Sequence, residues 1–275
     1  MHETLQRVEW EKIKGFFFDL DGCMYAGDKP YPRSQELILY LLQQGKKVAF
    51  LSNNSTDRTE TVRKRMRRMG FLVEKTPIVL ASELVGDYLN KKVGNVAAAI
   101  FGSDELKESV QKAGHTLVDS PIDVSEVVIV GRDETFSYQK LQFACDQLSH
   151  HSRLIAVNAD VSHPRTNGKM VPDTGSLIAA IEAVTGVEAE IVGKPSTHAF
   201  EHLCQVTGLS PDECLMVGDN LYTDVEGGER SGMHTCWITH GKTKPDFVSV
   251  QPTIEIPAIA NLYDLLIQKR KHILH

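Results

Sequence analysis

The chain has 275 residues, a formal net charge of −6 and 24% charged residues. That length suits one large domain or two ordinary ones, and the acidic balance argues against nucleic acid or an anionic membrane as the main partner. The five cysteines are odd in number, widely spaced and form no CxxC pair, which favours reduced thiols in the cytoplasm over a disulfide framework.

The polar start, residues 1–14, lacks the apolar core of a secretory signal, and no apolar run approaches a membrane span. The expectation is a soluble intracellular protein. Residues 15–20 then read as a strand, Gly-Phe-Phe-Phe-Asp-Leu, followed by Asp21 and Gly22. Strand side chains alternate faces, so Asp19 and Asp21 leave the strand end together. Their repulsion calls for a cation or a shared proton, and a hard divalent ion such as Mg2+ meets that demand. Cys23 follows; a lowered pKa would make it reactive, whereas burial would leave it an inert thiol.

Further strands read at 47–52, 96–101, 127–130, 154–157, 190–192, 214–217 and 235–238. Helices read at 34–44, 59–69, 81–90, 104–113, 138–149, 176–184, 197–207 and 224–231. Their alternation predicts an α/β fold with parallel sheets and helices on both faces. The helix at 59–69 carries the one basic run, Arg63-Lys64-Arg65 with Arg67-Arg68, between Val62, Met66 and Met69; it reads as a solvated face.

Four strands end in polar punctuation: Asp19 and Asp21; Ser52-Asn53-Asn54-Ser55; Gly193-Lys194-Pro195-Ser196; and Gly218-Asp219-Asn220. Ligands bind at the carboxyl ends of strands in an open α/β sheet, so the four share one crevice if their strands share one sheet. The stretch between Ser52 and Lys194 is too long for one βα unit. It reads as an inserted second domain, with 1–84 and 190–275 as the core and 85–189 as the insert.

Taken together and in order, these clusters resemble the haloacid dehalogenase-like hydrolase superfamily. Asp19-Leu20-Asp21-Gly22 matches its first motif, Ser52 its second, Lys194 its third and Gly218-Asp219-Asn220 through Asp224 its fourth. Ser-Asn-Asn-Ser at 52–55, Val-Gly-Lys-Pro-Ser at 192–196 and the α/β insert look like the NagD and 4-nitrophenyl phosphatase subfamily. The resemblance implies a Rossmann-like three-layer core with a parallel sheet plus an inserted α/β cap domain of the C2 type. It implies a Mg2+-dependent phosphatase working through an aspartyl-phosphate on a small metabolite of the nucleotide, sugar phosphate, glycerol phosphate, phosphoglycolate or pyridoxal phosphate class. Homodimerisation through the cap is implied in the same way.

The residue chemistry stands beside that resemblance. A carboxylate such as Asp19 can attack phosphorus, and Asp21 can protonate the leaving oxygen and then activate water. Ser52 offers a hydroxyl and Asn53 a backbone N–H to a phosphoryl oxygen; Asn53 and Asn54 equally suit a helix N-terminus, which itself binds phosphate. Lys194 supplies neutralising charge or is an exposed turn lysine. Asp219 joins Asp19 as a metal ligand, and Asp224 ligates through water, orients Lys194 or Asn220, or serves as a helix cap; the resemblance implies the Asp21 backbone carbonyl as a further ligand. In the insert, Asn158, Asp160, His163 and Arg165 are candidates to contact the leaving group, or form a polar surface loop.

A receiver-type phosphoryl switch also clusters aspartates and a lysine, but is a single compact domain. A phosphomutase or phosphotransferase would share the aspartyl-phosphate and differ in its acceptor.

Overall fold

Strand β1 (Gly15–Phe18) is buried at all four positions, as a strand covered on both faces must be. In the computed structural model, which describes residues 9–164, 169–246 and 248–273, it sits at the centre of a six-stranded sheet. The other strands are β4 (Lys47–Ser52), β5 (Ile78–Leu80), β13 (Cys214–Gly218), β14 (His234–Ile238) and β15 (Ile254–Ile256), in the order β15-β14-β13-β1-β4-β5. β1 pairs in parallel with both β13 and β4, and β13, β14 and β15 continue in parallel. A short antiparallel hairpin of β2 (Tyr25–Ala26) and β3 (Lys29–Pro30) follows β1.

The chain forms two compact units. The first holds the described parts of Met1–Ser52, Arg63–Ile78 and Phe200–His275; the second holds Asn53–Val62 and Val79–Ala199. The first unit carries helices α1 (Ser34–Gln43), α7 (Thr197–Thr207), α8 (Gly227–Arg230) and α9 (Ile259–Ile273), and a π-helical turn at Leu221–Glu226. Its core includes Phe18 and Phe50, whose ring centroids lie 6.2 Å apart, and a cluster of Leu221, Val225, Trp237, Val248 and Val250.

The second unit is built on a five-stranded sheet. Its strands are β6 (Ala97–Phe101), β7 (Thr116–Leu117), β8 (Val127–Val130), β9 (Arg153–Ala156) and β12 (Glu190–Ile191), in the order β12-β9-β8-β6-β7, all paired in parallel. Helices α3 (Ala81–Lys92), α4 (Asp104–Lys112), α5 (Tyr138–Leu148) and α6 (Thr174–Thr185) accompany it, with an antiparallel pair β10 (Ser162–Pro164) and β11 (Met170–Pro172). Ala99, Phe101, Val128, Val130, Leu154, Ala156, Ile178 and Ile181 form its core.

Two sequence expectations are corrected here. The strand expected at 190–192 pairs with β9, so the Gly193-Lys194 cluster follows a strand of the five-stranded sheet rather than the six-stranded one. The two compact units divide at Ser52/Asn53, Val62/Arg63, Ile78/Val79 and Ala199/Phe200, where the sequence reading put the insert at 85–189. Nor is the basic face of α2 (Thr59–Arg68) fully solvated: Arg63 donates to the Thr76 carbonyl at 3.0 Å and Arg65 to the Tyr25 hydroxyl at 3.2 Å. Among the described residues no helix is long and apolar enough to cross a membrane. All five cysteines are free thiols; four are buried and Cys145 is half-buried.

Candidate active site

In the first unit, three neighbouring parallel strands deliver polar residues at their carboxyl ends. β13 leads to Asp219, β1 to Asp19, and β4 ends at Ser52. The register pairs Phe18 with Val217 on one side and with Phe50 on the other, so the three ends lie level. The Asp19 N–H donates to the Val217 carbonyl at 2.9 Å, fixing the first carboxylate against β13.

One carboxylate oxygen from each of Asp19, Asp219 and Asp224 lies within 4.8 Å of the other two. Asp19 is 8% exposed and Asp224 1% exposed. Three acids so close, two of them buried and Asp219 half-buried, repel one another, and a hard cation with oxygen ligands relieves this. Asp224 is brought in by the π-helical turn, whose first turn is capped by Asn220: its Oδ1 accepts the N–H groups of Tyr222 and Thr223 at 2.9 and 3.2 Å. The Asp224 Oδ2 in turn accepts the Asn220 N–H at 3.1 Å. The Trp237 indole donates to the Asp219 carbonyl at 3.0 Å, holding that residue from β14.

Asp21 stands apart from the acidic trio. Its side chain is exposed, and its backbone bridges to Tyr25 at the start of the hairpin. Gly22 has φ +88, and a Cβ there would lie 2.7 Å from Asp219 Oδ1, so the turn demands glycine on both conformational and steric grounds. The His240 Nε2–H donates to the Gly22 carbonyl at 2.6 Å, and the His240 ring lies 5.1 Å from that of Tyr31. Burial raises the Tyr31 phenol, and the charges of Asp219 and Asp21 raise it further. Tyr25 is fully buried, and burial with the charge of Asp21 pushes its phenol up, against the pull of Arg65. Cys23 resolves as the inert alternative: burial raises its thiol well above the ordinary range, and Asp19, Asp224 and Asp219 push the same way.

In the second unit the carboxyl ends of β12, β9 and β8 lie side by side and lead to Lys194, Asn158 and Arg132. Lys194 is 2% exposed, so it is no surface turn lysine. Asn53 clamps its backbone twice: Oδ1 accepts the Lys194 N–H at 2.8 Å, and Nδ2 donates to the Lys194 carbonyl at 3.0 Å. The same Nδ2 lies 3.2 Å from Asp160 Oδ2, and the Asn158 amide donates to the Asn53 carbonyl at 2.6 Å. Asn54 builds the turn into α2: its Oδ1 accepts the N–H groups of Thr56 and Asp57 at 2.9 and 2.7 Å. The side chains of Asn53 and Asn158 thus shape the loops around Lys194, and that of Asn54 the turn into α2.

His163 has both ring nitrogens engaged, Nδ1 with Asp173 and Nε2 with Arg132, each at 2.9 Å. Arg165 lies outside the described residues. Sequence reading passed over Arg132, although it follows a strand and a glycine as the core motifs do; its strand-end position was the available signal.

The chain matches the haloacid dehalogenase-like hydrolase family over residues 16–116 and a HAD-hydrolase-like family over 191–263. It is 36% identical to chronophin of Rattus norvegicus over 233 residues, 82% of this chain and 75% of that protein. It is 27% identical to the 5'-nucleotidase YutF of Bacillus subtilis over 236 residues, 86% and 91% of the two chains. Among solved structures, a 4-nitrophenylphosphatase from Thermotoga maritima superposes with a TM-score of 0.84 at 30% identity, covering 93% of this chain and 98% of that one. With its motifs in family order and its strand-end carboxylates converging, the chain belongs to the haloacid dehalogenase-like hydrolases, among the NagD-like phosphatases.

Proposed function

We propose that this protein is a Mg2+-dependent phosphomonoesterase that hydrolyses a small phosphorylated metabolite through an aspartyl-phosphate. The observation that carries the reading is the approach of Asp19, Asp219 and Asp224 to within 4.8 Å at the carboxyl ends of neighbouring strands. These three carboxylates, with the Asp21 backbone carbonyl, would hold the ion; few protein ligands and retained water suit Mg2+. When bound, the metal supplies charge neutralisation for the phosphoryl oxygens and the crowded acids.

A carboxylate oxygen of Asp19 attacks phosphorus as the ester P–O bond breaks, and the Asp21 carboxyl gives its proton to the departing oxygen. Asp21, now a carboxylate, takes a proton from water, whose oxygen attacks the acyl phosphate. Inorganic phosphate leaves and Asp19 is restored. The exposed position of Asp21, apart from the acidic trio, supports an acid–base role, because a group engaged with the ion could not exchange protons. Ser52 and the Asn53 backbone N–H serve as phosphoryl donors in this reading, and Lys194 as the neutralising cation. The reading places the enzyme in the cytoplasm, where its five free thiols would stay reduced.

Hydrolysis of p-nitrophenyl phosphate tests it. Activity should require Mg2+, vanish on chelation and return when Mg2+ is restored. Ca2+ should inhibit, since its higher coordination number can engage both oxygens of the nucleophile. Full activity in EDTA would overturn the metal assignment.

A further inference from the structure

We propose that His240 is a positioning residue for the acid–base step: by holding the Gly22 carbonyl it fixes the turn that presents the Asp21 carboxyl. The proposal rests on the phosphatase reading above and adds to it a side chain from outside the four motifs. Every residue it needs lies in the first unit.

Gly22 is the loosest point of the first motif. Its φ of +88 lies in the left-handed region that glycine enters freely, and with no Cβ little in the residue itself restrains its peptide groups. Bonds within the turn hold its other groups. The Gly22 N–H donates to the Tyr25 carbonyl at 2.9 Å, and those of Cys23 and Met24 both donate to the Leu20 carbonyl, at 3.2 and 2.8 Å. The Gly22 carbonyl instead accepts from His240 Nε2, at 2.6 Å. A carbonyl only accepts, so the ring carries a proton on Nε2. Asp21, the residue before Gly22, is exposed, so the close packing that fixes Asp19 and Asp224 is missing there. The course of the turn decides where its carboxyl stands.

His240 is itself firmly held. It lies two residues beyond β14, where its N–H donates to the Pro257 carbonyl at 3.1 Å and the Thr239 N–H to the Ile256 carbonyl at 2.8 Å. Its φ is +49, a left-handed conformation that residues other than glycine seldom adopt and that gathers at functional sites. The ring lies against that of Tyr31, with centroids 5.1 Å apart and planes tilted by 32°. Tyr31 is fixed in turn: its N–H donates to the Met24 carbonyl at 3.0 Å, and its carbonyl accepts the Ser34 hydroxyl at 2.8 Å. The imidazole is thus set by its backbone on one side and an aromatic ring on the other, and it aims one N–H at the first motif. β14 and its extension brace the acids twice, since the Trp237 indole holds the Asp219 carbonyl at 3.0 Å and Gly22 packs against the Asp219 carboxylate.

The test compares p-nitrophenyl phosphate with phenyl phosphate, which lacks only the nitro group. Its leaving oxygen is more basic and needs the proton of Asp21. The ratio of the two kcat/KM values reads the half-reaction in which that proton moves. His240→Phe keeps a ring beside Tyr31 and loses the donor. Its kcat/KM should fall about 10–100-fold for phenyl phosphate and less than about threefold for p-nitrophenyl phosphate. His240→Gln gives up the ring but keeps an N–H donor, and should return the ratio to within about threefold of the wild-type value. His240→Ala, with neither, should match the phenylalanine variant, and replaces it if circular dichroism shows that the larger ring disturbs the fold. An unchanged ratio, equal losses on both substrates, or a glutamine variant no better than the phenylalanine one overturns the proposal. Failure of the wild type to hydrolyse p-nitrophenyl phosphate with Mg2+ would instead defeat the phosphatase reading, so the two failures are distinct.

Discussion

A Cβ built on Gly218 would lie 2.6 Å from the Cβ of Asp224, and closer still to its carboxylate. The last residue of β13 therefore leaves room for the buried acid that the following turn folds back over it. Gly218→Ala must push Asp224 away from Asp19 and Asp219, since the obstruction reaches the base of the side chain and not only its tip. The Mg2+ concentration needed for half-maximal activity should rise by about tenfold or more, the scale of losing a group that supports a metal site. Metal titration of the variant checks this, with circular dichroism to show that the sheet survives. An unchanged requirement would place Asp224 outside the metal's reach.

The two aspartates of the first motif should fail differently. Asp19→Asn removes the attacking oxygen, so turnover should fall by at least ~10³-fold and no phosphoenzyme should form. Asp21→Asn leaves attack intact but removes the proton donor and acceptor. With p-nitrophenyl phosphate, whose leaving group needs little protonation, a phosphoryl adduct should then accumulate. Intact-mass measurement after mixing decides it. An adduct on the Asp19 variant would reverse the roles.

Acid should weaken the loop that follows Arg132. Burial raises the Asp133 carboxyl, but hydrogen bonds from the Lys140 ammonium and from the hydroxyl and N–H of Thr135 outweigh it and leave the group lowered from its ordinary 3.8. Lys140 Nζ lies 2.5 Å from Oδ2, and the Thr135 N–H is 2.8 Å from Oδ1. A depressed folded pKa contributes stability that is complete above the unfolded value and is lost as pH falls through the folded one. Asp133→Asn should thus cost about 1–2 kcal/mol at neutral pH, and the deficit should shrink below about pH 4. Urea midpoints for both proteins between about pH 3 and 7 measure it. A deficit that is constant across that range would mean the carboxylate's charge plays no part.

Much of this was legible in the chain because the informative segments carry their own chemistry. The buried run Phe16-Phe17-Phe18 can only be an interior strand, and an acid at its end has few structural uses. The longer strands and helices, such as β4, β6, α3 and α5, announce themselves by period. Apart from α9, what escaped was short or nonlocal. β2, β3 and β7 have two residues each, too few for any alternation, and β5 and β15 have three. α9 escaped although its 15 residues are long enough to show a period. The sheet to which Glu190–Ile191 belongs is set by pairing with Ile155 and Ala156, some 35 residues earlier, and nothing within two residues can declare that. The same distance hid a pairing within the second unit. Arg132 and His163 are 31 positions apart and meet only when β8 and the β10–β11 pair are folded.

The uneven burial of the cysteines has a practical side. Cys23, Cys204, Cys214 and Cys236 are enclosed, whereas Cys145 on α5 is half-open to water. Its thiol is raised by burial and by the neighbouring Asp146, so it reacts sluggishly at neutral pH and more readily in mild alkali. The native fold therefore offers a bulky maleimide one address. A fluorophore placed there would ride on a helix of the second unit and let the motions of that unit be followed without engineering a cysteine-free background.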